Sequence, residues 1–339
     1  MTIFSAEGSS KILKISTIFF AVMLLFTPYL QAAEGEEGEK FNPGEMINHH
    51  IMDSHVWEIA HGLVVHLPVI VYSEAKGLDI FSSANFYDEH HNEVPYKGYV
   101  MDHDHIMLED GGHVMDFSIT KNVLFLFINA LLLLAIFGAV ARGYKKNYGR
   151  APKGIQSFFE PIIIFVRDEI VKPNIGPKYH KYLPYMLTLF FFIWFGNILG
   201  LLPGAANLTG NIAVTLVLAV GTFVITNFSG NKNYWKHIFW TPGVPVVLKP
   251  IIVPVEFMGL FTKPISLALR LFVAITAGHI VVLSLLSLTF IFQSWAVGFG
   301  SAVIVTVINF IELLVATIQA YVFTMFSSLY IGMAVEDHH

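Results

Sequence analysis

Residues 255–292 read VEFMGLFTKPISLALRLFVAITAGHIVVLSLLSLTFIF, and residues 296–335 read AVGFGSAVIVTVINFIELLVATIQAYVFTMFSSLYIGMAV. Each run is near 40 residues long, or roughly 60 Å as a helix at about 1.5 Å per residue. A bilayer core is only about 30 Å thick, so helices of this length must tilt strongly or lie partly along the membrane plane, beyond the usual tilt of about 20°. Glu256 and Glu312 are the only acidic residues between 251 and 335. These two runs predict a membrane protein that ends in a long, oblique helical hairpin.

Composition agrees. Of 339 residues 55% are hydrophobic and 13% charged, and the mean hydropathy is +0.62; a soluble chain carries about 25% charged residues. Residues 34–116 hold 17 of the 25 Asp and Glu and 10 of the 15 His. The net charge of −5 therefore describes an acidic extramembrane segment rather than the whole chain. There is no cysteine, which excludes disulfides, iron–sulfur clusters and thiolate metal sites.

Upstream of the hairpin, Lys11 and Lys14 precede the apolar run Ile15 to Leu30, and Gln31-Ala32-Ala33 offers small residues for cleavage. That is the pattern of a secretory signal, with an uncleaved anchor helix as the alternative. Residues 34–117 then form an external, partly irregular segment, in which Leu63–Tyr72, interrupted by Pro68, reads as a short amphipathic stretch. Ile119–Val140 is long enough to span, and Arg142, Lys145, Lys146, Arg150 and Lys153 behind it place that end in the cytoplasm. Ile155–Val171 mixes apolar clusters with Glu160, Arg167, Asp168 and Glu169 and reads as an interfacial amphipathic helix. Leu183–Leu202 and Asn211–Thr226 are two further spans. Thr241–Pro254, with prolines at 242, 245, 250 and 254, is not expected to be regular helix. The fold class is all-α integral membrane, with about five spans in a membrane domain 118–339, residues 34–117 periplasmic and the C-terminus cytoplasmic.

An ionisable group at bilayer depth costs about 2.5–3.5 kcal/mol and is a functional hypothesis by default. The penultimate run carries Glu256, Lys263, Arg270 and His279, and the last carries Glu312. Steps of seven return to within about 20° of the same helical direction, so Glu256, Lys263 and Arg270 share a stripe, flanked by Ser266. His279, nine residues past Arg270, faces the other way. On the last helix Glu312, Gln319 and Tyr330 share a face. This gives two polar tracks on opposite sides of a central cation. The plainer alternative is a buried structural pair, such as His279 with Glu312, joining two helices. Lys263 could snorkel to the interface, and Asn197 and Asn211 could serve as helix–helix glue.

Residues 263–280, KPISLALRLFVAITAGHI, resemble the signature of subunit a of the F-type ATP synthase. Further matches are Asn197-Ile-Leu-Gly-Leu-Leu-Pro-Gly204, Asn211-Ile-Ala-Val-Thr215 and Ile318-Gln-Ala-Tyr-Val-Phe323, in the family's order from about residue 118 to the end. The resemblance implies a bacterial inner-membrane, proton-translocating stator subunit whose two aqueous half-channels load and unload carboxylates on a rotating c-subunit ring. By position, Arg270 matches the family's essential arginine, His279 and Glu312 a titratable pair assigned to the external half-channel, and Gln319 the arginine's polar partner. Glu256, Lys263, Ser266 and Tyr330 fall at positions of the cytoplasmic path, and Asn211 near the opposite one. Ala274 stands where the family usually has Asn. Partners implied are the c-ring, b-type peripheral stalk subunits and, indirectly, the F1 sector. No phosphate-binding GxxxxGK[ST] loop is present, so catalysis belongs to partners, and neither cofactor nor nucleic acid is expected. The choice of proton or sodium is left to the c subunit's site.

Other classes fit less well. A secondary transporter would show internal repeats and paired broken helices, which are not seen in the sequence. Bis-histidine haem ligation needs two intramembrane histidines, whereas His180 and His237 fall in loops. Asp102-His103-Asp104-His105 and His90-His91 could ligate a metal, but a solvated polar surface is the simpler reading, and no metal site is assigned.

Overall fold

The computed structural model describes residues 44, 52–60, 63–74, 76–88, 94–102, 105–110, 112, 114–147, 149–202, 204–240 and 245–336. The signal-like stretch 1–33, His90-His91, His103 and Asp104 lie outside the described residues.

The membrane part is helical throughout. Helix α1 spans Lys121–Lys146, α2 Ile155–Phe165, α3 Lys172–Ile175, α4 Tyr179–Gly200, α5 Ile212–Phe228, α6 Lys232–Phe239, α7 Lys249–Phe292 and α8 Trp295–Val335. A π-helical segment, Val166–Val171, links α2 to α3, so the helical path runs almost unbroken from Ile155, through the amphipathic stretch, to Gly200. Among the described residues four helical stretches are long and apolar enough to cross a membrane, and a fifth results if α5 and α6, bent by 104°, count as one. This is the all-α integral membrane fold of about five spans. Helices α7 and α8, of 44 and 41 residues, form the long hairpin, turning at Gln293 in the left-handed region (φ 43°).

One local expectation fails. Thr241–Pro254 is not wholly irregular, because α7 begins at Lys249. Pro250 sits in the first turn, where the missing N–H has no intrahelical partner anyway. Pro254 lies inside the helix at the cost of one backbone bond.

The bundle is held by α4. Met186, Phe190, Phe191, Ile193 and Phe195 are buried among Leu267 and Leu271 of α7, Ala320, Phe323 and Ile331 of α8, and Val166 and Ile170. Helix α8 presents Ala316, Ala320, Thr324, Ser328 and Gly332, all at four-residue spacing; these small residues let backbones approach closely. Polar bonds cross between helices. Asn197 Nδ2 donates to the Ala316 carbonyl (3.2 Å), Trp194 Nε1 to Thr317 Oγ1 (3.1 Å), and Thr222 Oγ1 bonds both Tyr185 Oη (3.0 Å) and Ser327 Oγ (3.1 Å). Asn197 is thus helix–helix glue.

The external segment is more regular than its composition suggests. Strands β1 Val56–Ala60 and β2 Leu63–His66 form a hairpin; β4 Gly77–Ser82, β3 Pro68–Ser73 and β7 Met115–Asp116 form a three-stranded antiparallel sheet in that order; β5 Tyr99–Asp102 pairs with β6 His105–Leu108. The short amphipathic stretch 63–72 is two strands parted before Pro68. Period-two alternation turns Val69 and Val71 inward onto Phe86, Tyr99, Met101, Ile106 and Leu108.

Candidate functional site

Arg270 lies midway along α7 and is half-buried. Its guanidinium carbon stands 4.2 Å from the centroid of the Phe326 ring on α8. Among the described residues no carboxylate approaches it within ion-pair distance and no hydrogen bond satisfies it. An arginine stays charged, so this cation is available to a partner outside the chain. The hairpin around it is open: Leu269, Val273, Ile311, Leu314 and Ile318 are exposed apolar side chains.

Two cavities flank the arginine along α7. One is lined by His279 and Thr276 of α7, Lys121 and Asn122 of α1, Met52 of the external segment, and Ala205, Ala206, Asn207 and Gly210 between α4 and α5. The other is lined by Leu260, Lys263, Pro264 and Leu267 of α7, Tyr330 of α8, Tyr234 of α6, and Ala219, Thr222, Phe223, Thr226 and Asn227 of α5. At about 1.5 Å per residue, His279 stands roughly 13 Å beyond Arg270 and Lys263 roughly 10 Å before it.

In the second cavity the Lys263 ammonium lies 5.7 Å from the Tyr330 ring centroid, and Tyr330 stands 6.2 Å from Phe326. The chain from the arginine to this cavity is thus Arg270, Phe326, Tyr330, Lys263. Pro264 supplies no N–H to the Leu260 carbonyl, and both residues line the cavity.

On the other side, Glu312 packs against Gly278, the neighbour of His279. A methyl group at Gly278 would come within 2.5 Å of Glu312 Oε1. Glu312 thus lies against the α7 backbone next to His279. Asn211 sits next to Gly210 of the first cavity and caps α5, its Oδ1 accepting from the Ala213 N–H (2.9 Å).

The remaining residues are less engaged. Ser266 is exposed, and Glu256 and Gln319, both half-buried, make no hydrogen bond among the described residues. Sequence reasoning missed Phe326, Lys121 and Gly278. Lys121 had a signal, a cation directly behind the capping residue Thr120 at the head of an apolar run.

The sequence model of the ATP synthase A chain family matches residues 123–332, and that of a domain of unknown function matches residues 46–124. The chain is 40% identical over 318 residues to "ATP synthase subunit a 2" of Chlorobaculum tepidum, covering 91% of this chain and 77% of that protein. It is 40% identical over 309 residues to "ATP synthase subunit a" of Pelodictyon phaeoclathratiforme, covering 89% and 78% respectively. Against "ATP synthase subunit a" of Chlorobium phaeobacteroides it is 39% identical over 316 residues, covering 91% and 79%. With its apolar helices and the arginine signature on the penultimate one, the chain belongs to the ATP synthase A chain family, the subunit a of the proton-translocating membrane sector of ATP synthase.

Proposed function

We propose that Arg270 separates two aqueous half-channels that serve a ring of c subunits. The observation that carries this reading is the pair of cavities on either side of an arginine that has no counter-ion among the described residues. A ring carboxylate would take a proton from one cavity, travel through lipid in the neutral form, and release it into the other. At about 4 Å and an effective dielectric of about 20 the arginine is worth roughly 4 kcal/mol to that carboxylate, or about three pKa units. That suffices to ionise an acid that is neutral in lipid. The same cation repels a proton crossing directly between the cavities, so protons pass by turning the ring, each gaining about 2.3 kcal/mol per 100 mV.

His279 and Glu312 serve the external half-channel, with Asn211 at its rim. Lys263 and Tyr330 serve the cytoplasmic one, joined by Glu256 and Ser266 once a partner covers the hairpin. Gln319 is the arginine's polar neighbour on α8. The open apolar face around Arg270 takes the ring, and the b-type stalk subunits and F1 sector complete the complex. Residues 34–117 lie in the periplasm and the C-terminus in the cytoplasm.

The test is Arg270→Ala in the assembled complex, with ATP-driven acidification of inverted vesicles measured beside ATP hydrolysis. Acidification is expected to vanish while hydrolysis by the soluble sector persists. Normal pumping would refute the proposal.

A further inference from the structure

The external segment meets the membrane helices at one well-defined seam. The Trp57 indole N–H donates to the Gly204 carbonyl (2.8 Å), and its ring stands edge-on to Phe125 at 5.2 Å. The Lys121 N–H donates to the Ser54 carbonyl (2.8 Å), and the Asn122 N–H to Asp53 Oδ1 (3.0 Å). Each of these bonds falls on or beside a residue that lines the His279 cavity. Gly204 precedes Ala205, and Lys121 and Asn122 line the cavity themselves. The segment is therefore fixed to residues on or beside the cavity, and its Met52 is one of the lining residues.

The lining is suited to water. Lys121, Asn122, Asn207 and His279 contribute polar groups. The Thr276 hydroxyl is buried with no hydrogen-bond partner among the described residues. A polar cavity that admits a water molecule, with several polar groups in its lining, can hold ordered water. Lys121 is the one permanent charge among the lining residues, and the carboxylates of Asp53 and Glu58 in the external segment act on it electrostatically. Met52 is the external segment's contribution to the lining.

We infer that residues 52–58 of the external segment form the outer wall of the ion path, so that protons reaching His279 from outside pass over Met52 and Lys121. The segment is then part of the translocating machinery rather than an appendage. This inference rests on the half-channel reading above.

The chain has no cysteine, so Met52→Cys introduces a single thiol into this subunit, at a side chain that is 46% exposed. The assembled complex is reconstituted in liposomes, and passive proton flux through the membrane sector is compared before and after a membrane-impermeant methanethiosulfonate is added on the side of the external segment. The complex without the substitution controls for thiols on other subunits. Modification of Met52→Cys is expected to cut flux several-fold. The same reagent on Leu78→Cys, which is exposed on a strand that contributes nothing to the cavity, is expected to leave flux unchanged. Met52→Trp is expected to lower flux without any reagent. Full flux in both modified Met52→Cys and Met52→Trp would overturn the inference. Flux in His279→Ala separates the two levels: if it is blocked there while both Met52 variants conduct, the external wall alone is wrong, and if it is normal the half-channel reading fails first.

Discussion

The guanidinium of Arg270 on α7 lies over the ring of Phe326 on α8, 4.2 Å from its centroid. This cation–π contact holds the arginine against α8 without neutralising it. An ion pair at that position would consume the charge a partner carboxylate needs. A ring face attracts the cation by about 0.5–2 kcal/mol and leaves its N–H groups available. Phe326→Leu is expected to lower ATP-driven proton pumping roughly twofold to thirtyfold, since each 1.4 kcal/mol is about a factor of ten. Phe326→Tyr should keep most of the activity because the ring face remains. Equal pumping in the leucine and tyrosine variants would show that the ring does not position Arg270.

Gly278 gives a case in which stability and function should move in opposite directions. Alanine is better than glycine inside a helix by about 1 kcal/mol, yet its methyl group would meet Glu312 Oε1 at 2.5 Å. The carboxylate is the far end of a flexible side chain, so it swings away and the fold persists. Gly278→Ala is expected to assemble normally and pump poorly. Combining it with Glu312→Asp, which withdraws the carboxylate by one methylene, should recover part of the loss. The comparison requires proton pumping and the amount of assembled complex for both variants.

Gly332 is the opposite case. A methyl group there would overlap the Asn174 carbonyl oxygen, and that atom belongs to the backbone of the turn after the π-helical segment. Nothing flexible can give way. Overpacking of this kind costs about 1–3 kcal/mol or more, so Gly332→Ala should reduce the level of folded subunit in the membrane. A normal level with an unchanged melting temperature would contradict the close approach of α8 to this turn.

The external segment has its own pH-sensitive lock. His55 Nε2 and Asp116 Oδ2 lie 2.9 Å apart, joining the start of β1 to β7. Burial pushes the Asp116 carboxyl up, but the hydrogen bonds from His55 and Ser118 outweigh it and hold the group below the usual carboxylate range. A depressed folded pKa means the contribution is present above the unfolded value of about 3.9 and is lost as pH falls through the lower folded value. Hydrogen-exchange protection of the Phe117 and Ile119 amides, which bond to Ile70 and Pro68, should therefore drop in strong acid. Asp116→Asn should weaken it at neutral pH by about 1–3 kcal/mol. Unchanged protection in the asparagine variant would dismiss the lock.

Much of this architecture was legible in the chain. The two long apolar runs end within a few residues of α7 and α8, because hydrophobic length and the absence of charge are properties of consecutive residues. The β-structure before residue 117 was not legible: Val69 and Val71 find their cover in Tyr99, Met101, Ile106 and Leu108, some thirty residues further on, and no local pattern marks that pairing. Proline misled for a related reason. A run of four prolines argues against helix, but Pro250 falls where a helix has no N–H to lose.

The candidate site divides in the same way. The sequence alone determined that Arg270 stands at membrane depth on a stripe with Glu256 and Lys263 and that His279 faces elsewhere, since helical period is set by backbone geometry. Only the tertiary structure decided that Phe326 receives the guanidinium, that Gly278 receives Glu312, that Lys263 meets Tyr330, and that Met52 and Lys121 line the cavity at His279. Those pairs depend on how α8 is rotated and pressed against its neighbours by its row of small residues from Ala316 to Gly332, and on where the external segment is pinned to α1. Both are outcomes of packing between distant parts of the chain.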